Sequence, residues 1–423
     1  MIDKLKEIKE NKDLYETILV GAGTIAGAFF SYLLQFVLGR KLSVEDYGSF
    51  NTLLSLSSLI GVFSVVLGIS LVKAVSELYV NGDSEKIKLL FVRVIKLSLI
   101  VGCILFTIVF LARGIISNTF KINNISAVSF FSIIMGFGIV SGISSSFLQG
   151  LQKFKKFSML SVISSFNRFI LSALFVFIGF GLAGVFGGMV VSAVISFFIG
   201  LLFLGLGFNG ANNVDLSSIY KKIVSFSLPI AAIYLLNTSL TNMDLILVKR
   251  YFAPIEAGYY AGAVTLGKII LFGVGAVTTV MFPKIIALYT KKENFYPKLK
   301  SLLTILVGLL VISVGCYSIF PGIVTRLFFG KTFDNSVLYL PAFSIVAALY
   351  VLINFFTSFF LAIEKRKVAL FLIPGVLTQY VLINLFHSSL FDVIKIDIFV
   401  CIMTLTLLLI YFHAQMLNEK KTV

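Results

Sequence analysis

Apolar runs of about 20 residues recur along the whole chain, each closed by a short polar connection, and this pattern restricts the fold more than any other feature. Wound as a helix at 1.5 Å per residue, such a run crosses the roughly 30 Å hydrocarbon core of a bilayer, whereas a membrane-barrel strand needs about ten alternating residues. In hydrocarbon every backbone N–H and C=O must bond within the protein, and an uninterrupted apolar run meets that demand as a helix. The expectation is an all-α integral membrane protein. Composition agrees: 58% of the 423 residues are hydrophobic and 13% charged, where a soluble domain is about 25% charged.

Twelve runs are expected, over residues 17–38, 50–72, 94–112, 125–148, 158–178, 182–206, 226–249, 258–282, 302–324, 337–362, 369–386 and 398–416. The first is too long for the apolar core of a signal peptide and no small-residue cleavage site follows it, so it reads as an uncleaved helix. Cys103, Cys316 and Cys401 all fall inside apolar runs, which predicts core thiols. The formal charge of +16 would point a soluble chain toward nucleic acid, but in a membrane protein the distribution of Lys and Arg matters more than the sum. No nucleic-acid partner, metal or cofactor is expected.

An even number of spans puts both termini on one side. The terminal and even-numbered connections hold twenty-four Lys and Arg, including Lys153, Lys155 and Lys156, and the others hold nine, including Arg40, Lys249 and Arg250. Cationic connections stay in the cytoplasm, so both termini are expected there. Only Arg168 and Lys268 are left over, and both lie inside apolar runs.

A shift of 210 residues lays Arg40 on Arg250, Asp46 on Glu256, Gly48 on Gly258 and Lys121 on Lys331. It spans six helices, so the copies share an orientation and are expected as two six-helix bundles related by a pseudo-twofold axis along the membrane normal. The expected organisation is an N-terminal lobe over 1–206, a cytoplasmic linker over 207–225 and a C-terminal lobe over 226–423. A transported substrate is expected between the copies.

Helix five should enter from the inside near Ser158 and helix eight from the outside near Gly258, which places Arg168 and Lys268 roughly 15 Å along, near the bilayer midplane. Insertion scales charge about 2.5–3.5 kcal/mol for a cation there, so each should face protein or a water-filled cavity. Two readings stand side by side. Either the cations meet an anionic substrate, Arg offering a planar fork and Lys a point charge, or they hold helices together, Arg168 on hydroxyls or carbonyls and Lys268 paired with Asp244.

Asp244 reads as the only acid well inside a span. Tyr234, Asn237, Thr241 and Asp244 are spaced by three, four and three residues, which predicts one polar face of a continuous helix seven. The shifted positions Thr24, Gly27 and Ser31 put helix one beside the same cleft. Asp244 is either an ion site that couples transport to a proton or sodium gradient or the carboxylate that keeps Lys268 charged. Arg40 and Arg250 sit at the outer ends of the same two helices, on substrate or on lipid headgroups. Gly23, Gly27, Gly184 and Gly188 read as packing positions, and Pro229 and Pro283 as bends.

The outer connection Leu38-Gly-Arg-Lys-Leu-Ser-Val-Glu-Asp-Tyr-Gly48, together with Glu77 to Lys86, Phe147 to Lys155 and Met281 to Ile285, resembles Wzx-type oligosaccharide flippases. These form the polysaccharide-transporter branch of the multidrug/oligosaccharidyl-lipid/polysaccharide (MOP) superfamily. The resemblance covers nearly the whole chain. It implies a V-shaped pair of six-helix bundles that moves undecaprenyl-pyrophosphate-linked oligosaccharide repeat units from the cytoplasmic to the outer leaflet of the bacterial cytoplasmic (inner) membrane by alternating access. The product would be a surface polysaccharide such as O-antigen, capsule or exopolysaccharide.

The partners implied are that lipid-linked oligosaccharide, membrane lipids, a coupling ion (proton or sodium) and other polysaccharide-assembly proteins. On this reading Arg168, Lys268, Arg40, Arg250, Asn237 and Thr241 meet the pyrophosphate or line its cavity. The runner-up is an ion-coupled drug/cation antiporter of the same superfamily, whose positive substrates call for acids where this chain has Arg, Lys and one Asp. An enzyme is not expected, because the short outer connections carry no paired carboxylates, metal-ligand cluster or phosphate-cradling glycine motif, and no catalytic residue is assigned.

Overall fold

The computed structural model describes residues 12–205, 215–291 and 293–420, which form helices joined by short turns, with no strand among them. Lys4, Lys6, Lys9, Lys292, Lys421, residue 206 and the 207–214 part of the expected linker lie outside the described residues. In chain order the helices are α1 (Lys12–Lys41), α2 (Val44–Val80), α3 (Ser84–Leu111), α4 (Arg113–Thr119), α5 (Ile125–Ser141), α6 (Ile143–Gly150), α7 (Phe154–Phe177) and α8 (Gly181–Leu204). They continue with α9 (Ser217–Leu240), α10 (Met243–Tyr251), α11 (Pro254–Thr290), α12 (Tyr296–Ile319), α13 (Pro321–Phe329), α14 (Leu340–Ala362), α15 (Ala369–Leu385) and α16 (Leu390–Lys420). Two 3₁₀ turns, Lys331–Leu338 and Arg366–Val368, flank α14.

Among the described residues, 11 helices are long and apolar enough to cross a membrane, and the shorter apolar α15 makes up the twelfth expected run. Several helices outrun those runs: α2 and α11 are 37 residues each. Once nucleated, a helix gains one hydrogen bond per added residue, so it ends where a cap or breaker stops it and not where hydropathy falls. The Asp46 N–H donates to Ser43 Oγ at 3.1 Å before α2, and the Ala253 N–H to Glu256 Oε2 at 3.2 Å before α11, which also has Pro254 in its first turn. Asp46 and Glu256 are repeat partners, so part of the repeated motif encodes helix starts.

The chain divides into two compact units, Met1–Leu42 with Ile60–Ala231 and Ser43–Leu59 with Ala232–Val423, so α2 and α9 contribute residues to both. In the first unit α7 packs against α1 and α8, and α5 against α3 and α8. Leu71, Val75, Phe91, Phe147 and Leu216 form a shared core there. Gly188 lets α8 approach α7 backbone to backbone: a Cβ at this position would fall 2.5 Å from Ser172 Cα. In the second unit α14 packs against α11 and α16, and Tyr47 stands edge-on to Phe329 and Phe333.

Candidate functional site

In the first unit, Arg168 projects from α7 toward α1. Ser158, Ser161, Ser165 and Arg168, spaced by three, four and three residues, share one face of α7. That face meets Gly23, Gly27 and Ser31 on α1. Ser158 Oγ donates to Leu19 O at 2.8 Å, and a Cβ on Gly27 would lie 3.1 Å from Ser165 Oγ, so glycine brings the helices together as expected. Arg168 Nη2 donates to Ser31 Oγ at 2.8 Å, while that hydroxyl donates to Gly27 O at 2.9 Å. The guanidinium has five N–H donors. Among the described residues it bonds this one hydroxyl and has no ion pair, so most of its donor capacity remains.

The second unit corrects the expected continuous helix seven. The chain leaves the helix at Thr241 and Asn242, between α9 and α10. Thr241 Oγ1 donates to Asn237 O at 3.1 Å and Asn242 Nδ2 to Thr238 O at 2.9 Å. Polar side chains that bond their own backbone in this way compete with the helical ladder. Asn237 and Thr241, expected to line a cavity, therefore bond back to α9, Asn237 Nδ2 on Ile233 O at 3.2 Å. The stripe of four is broken before its last member: Asp244 falls in the first turn of α10 and is fully buried. Lys268 Nζ donates to Asn242 Oδ1 at 3.0 Å, at the break itself.

Asp244 is not the only acid inside a span. Asp397, on α16, is fully buried beside it, and the Tyr260 hydroxyl lies 2.9 Å from Asp244 Oδ2 and 3.2 Å from Asp397 Oδ2. Gln379 Nε2 donates to Asp397 Oδ1 at 2.9 Å and to Leu240 O at 3.1 Å. Leu240 ends α9, so Gln379 both caps the broken helix and orients the second acid. Asp244 Oδ1, Gln379 Oε1 and Thr404 Oγ1 are buried without a hydrogen bond among the described residues. The expectation missed Asp397 because α16 begins at Leu390 and not at residue 398. The signal was legible: helical spacing puts Asp397, Cys401, Thr404 and Leu408, all fully buried, on one face.

Arg40 and Arg250 are exposed near the C-terminal ends of α1 and α10, each against a ring, Arg40 over Phe36 at 4.4 Å and Arg250 over Tyr251 at 5.3 Å. Lys249, expected in a connection, is fully buried instead, with Asp46 as an electrostatic neighbour. The site residues thus gather as Arg168 with Ser31 in one unit and Lys268, Asn242, Asp244 and Asp397 in the other. Chemically the first is a guanidinium with donors to spare, held by a helix face, and the second a buried cluster of carboxylate and amide oxygens with Lys268 beside it.

Residues 14–289 match the sequence profile of the family described as polysaccharide biosynthesis protein. Comparison with curated protein sequences gives no match. Among solved structures, the lipid II flippase MurJ in its inward closed conformation superposes with a TM-score of 0.75 at 16% identity, over 94% of this chain and 87% of that one. An inward-facing MATE family multidrug resistance transporter of the MOP superfamily gives 0.72 at 15% identity, over 90% and 94%. A MOP superfamily transporter from Pyrococcus furiosus, whose reversed pocket polarity suggests a different function, gives 0.59 at 15% identity, over 95% and 94%. At such identities the likeness is one of fold.

Proposed function

Because the chain belongs to the polysaccharide biosynthesis protein family, we propose that it flips undecaprenyl-pyrophosphate-linked oligosaccharide repeat units to the outer leaflet of the bacterial cytoplasmic (inner) membrane by alternating access, for surface polysaccharide assembly. The chain is a multi-pass membrane protein with the fold of MOP superfamily flippases and transporters. A fold shared by MurJ, MATE and the Pyrococcus furiosus transporter does not choose a substrate, so the charges carry the choice.

The observation that carries the proposal is Arg168. A guanidinium inside a span that has, among the described residues, one hydroxyl partner and no carboxylate is costly unless an anion completes it. Ser31 fixes one edge of the fork and leaves the other for phosphate oxygens, which Arg binds bidentately. The same charge disfavours the cationic substrates of a drug antiporter. For Asn237 and Thr241, which bond their own helix, we retain a cavity-lining role only; Lys268, Arg40 and Arg250 supply further positive charge along the path.

In the second unit we propose that Asp244 and Asp397 form the coupling site for a proton or a sodium ion. One Tyr260 hydrogen cannot serve both carboxylates at once. One proton on a carboxyl, or one small cation against the two carboxylates, completes the cluster. The Lys and Arg distribution supports a cytoplasmic side for both termini, which we include in the proposal.

The test is binding of a synthetic polyprenyl pyrophosphate to the purified full chain. Arg168→Ala should reduce affinity about 10- to 100-fold, the scale of hydrogen bonds to a charged group. Wild-type affinity in a correctly folded Arg168→Ala variant would remove Arg168 as the pyrophosphate ligand.

A further inference from the structure

Between α1 and α7 runs an apolar groove of about 660 Å³, lined by Leu19, Ala22, Met159, Val162 and Ile163. A volume of that size lies within the range of small-molecule sites, about 300–1,000 Å³. Lys155 lines its end and also lines an adjoining cavity of about 320 Å³ together with Glu16, Lys153 and Lys156. Nothing in the proposed transport cycle uses this groove.

Its depth is set by one hydrogen bond. Ser158 Oγ donates to Leu19 O at 2.8 Å, so those residues are level. Leu19 and Phe154 begin the apolar spans of α1 and α7. Glu16 and Lys155, each about a turn before that bond, therefore sit at the headgroup level, with the groove running into hydrocarbon below them.

The charges in the head cavity are already partly spent. Lys153 Nζ donates to Leu204 O at 3.0 Å and Lys156 Nζ to Phe203 O at 2.8 Å, so both cap the C-terminal end of α8. Lys155 and Glu16 remain, one of each sign, both lining the cavity and, among the described residues, not ion-paired to each other. One cation for a phosphate, one carboxylate for an ammonium and an apolar groove for a chain match one kind of molecule.

We propose that this groove binds a phosphatidylethanolamine-type lipid, its phosphate on Lys155, its ammonium on Glu16 and an acyl chain along Ala22 and Met159. A primary ammonium donates hydrogen bonds to the carboxylate, which the quaternary ammonium of phosphatidylcholine cannot do, and phosphatidylglycerol brings no cation at all. The site is thus selective among membrane lipids by headgroup.

The experiment is native mass spectrometry of the full chain with phosphatidylethanolamine, phosphatidylcholine and phosphatidylglycerol of identical chains. Phosphatidylethanolamine should be retained about two- to fivefold over each of the others, the scale of one interfacial ion pair. Glu16→Gln should erase its advantage over phosphatidylcholine, Lys155→Gln should weaken all three, and Ala22→Phe, which fills the groove, should do the same. Phosphatidylglycerol outcompeting phosphatidylethanolamine on the wild-type protein would overturn the proposal, as would an ethanolamine preference that survives Glu16→Gln. Displacement of bound phosphatidylethanolamine by polyprenyl pyrophosphate at equal concentration would also overturn it, by assigning the groove to the transported lipid.

Discussion

Gly48 and Gly258, partners in the 210-residue repeat, touch one another: a Cβ on Gly48 would fall 2.8 Å from Gly258 Cα and 2.9 Å from its nitrogen. A Cβ on Gly258 would run into the Val44 carbonyl oxygen. The first turns of α2 and α11 therefore meet backbone to backbone, and the two copies of the repeated motif are the two sides of one contact. Tyr47 OH donates to Thr265 Oγ1 at 3.0 Å beside it. Glycine is required at both places by close approach, not by backbone conformation.

Gly258→Ala should accordingly lower the thermal midpoint of the detergent-purified protein, at a cost of about 1–3 kcal/mol for overpacking. Gly273→Ala, where a Cβ would meet nothing within 4 Å, is the control and should not destabilise. Equal midpoints for the two variants would contradict the contact.

At Arg168 the conservative change separates charge from geometry. Arg168→Lys keeps the cation but loses the fork, so polyprenyl pyrophosphate binding should fall about tenfold and not vanish. Ser31→Ala removes a single hydroxyl and should cost less than either Arg168 variant. If Ser31→Ala proves as damaging as Arg168→Ala while lowering thermal stability equally, the arginine acts in packing.

Asp397, absent from the sequence reading, should behave like Asp244. Each of Asp244→Asn and Asp397→Asn should abolish gradient-driven transport in proteoliposomes while leaving pyrophosphate binding measurable. Dependence on sodium at fixed pH, or on a pH gradient without sodium, identifies the ion. Recovery of transport in Asp244→Asn with Lys268→Met would show instead that Asp244 serves to balance the lysine.

Gln379→Leu should destabilise the protein by about 1–3 kcal/mol, because it strips a buried carbonyl and a buried carboxylate of one donor each. Thermal unfolding of the variant, compared with Tyr380→Leu at an exposed position of the same helix, checks this. Equal midpoints would remove the capping role.

Outside the spans, Arg326 grips Asp334 with two hydrogen bonds of 2.9 and 3.0 Å and holds its carboxyl below the ordinary carboxylate value. A depressed value in the folded protein means that the stabilisation is present above the unfolded value and is lost as pH falls through the folded one. Any difference in thermal midpoint between wild type and Asp334→Asn should therefore be small at neutral pH, because the pair is exposed, and should close on acidification. A difference that widens toward low pH would contradict the assignment.

The class, the helices and the repeat are legible in the order of residues alone, because bilayer thickness and backbone hydrogen bonding act on local runs of residues. That order also marks out Arg168, Lys268 and Asp244, since a charge in an apolar run is conspicuous wherever its partners lie. Tertiary structure decided what those charges meet. Asp244 and Asp397 are joined by Tyr260, and Gln379 reaches Asp397 and the carbonyl of Leu240, 139 residues away in the chain. The break at Thr241 and Asn242 belongs to that same layer: each residue is compatible with a helix, and it is the carbonyl captured by Gln379 that makes leaving the ladder tolerable in a buried place. Lys249 shows the limit most plainly, because at the end of an apolar run nothing local distinguishes a lysine that reaches water from one folded back toward Asp46.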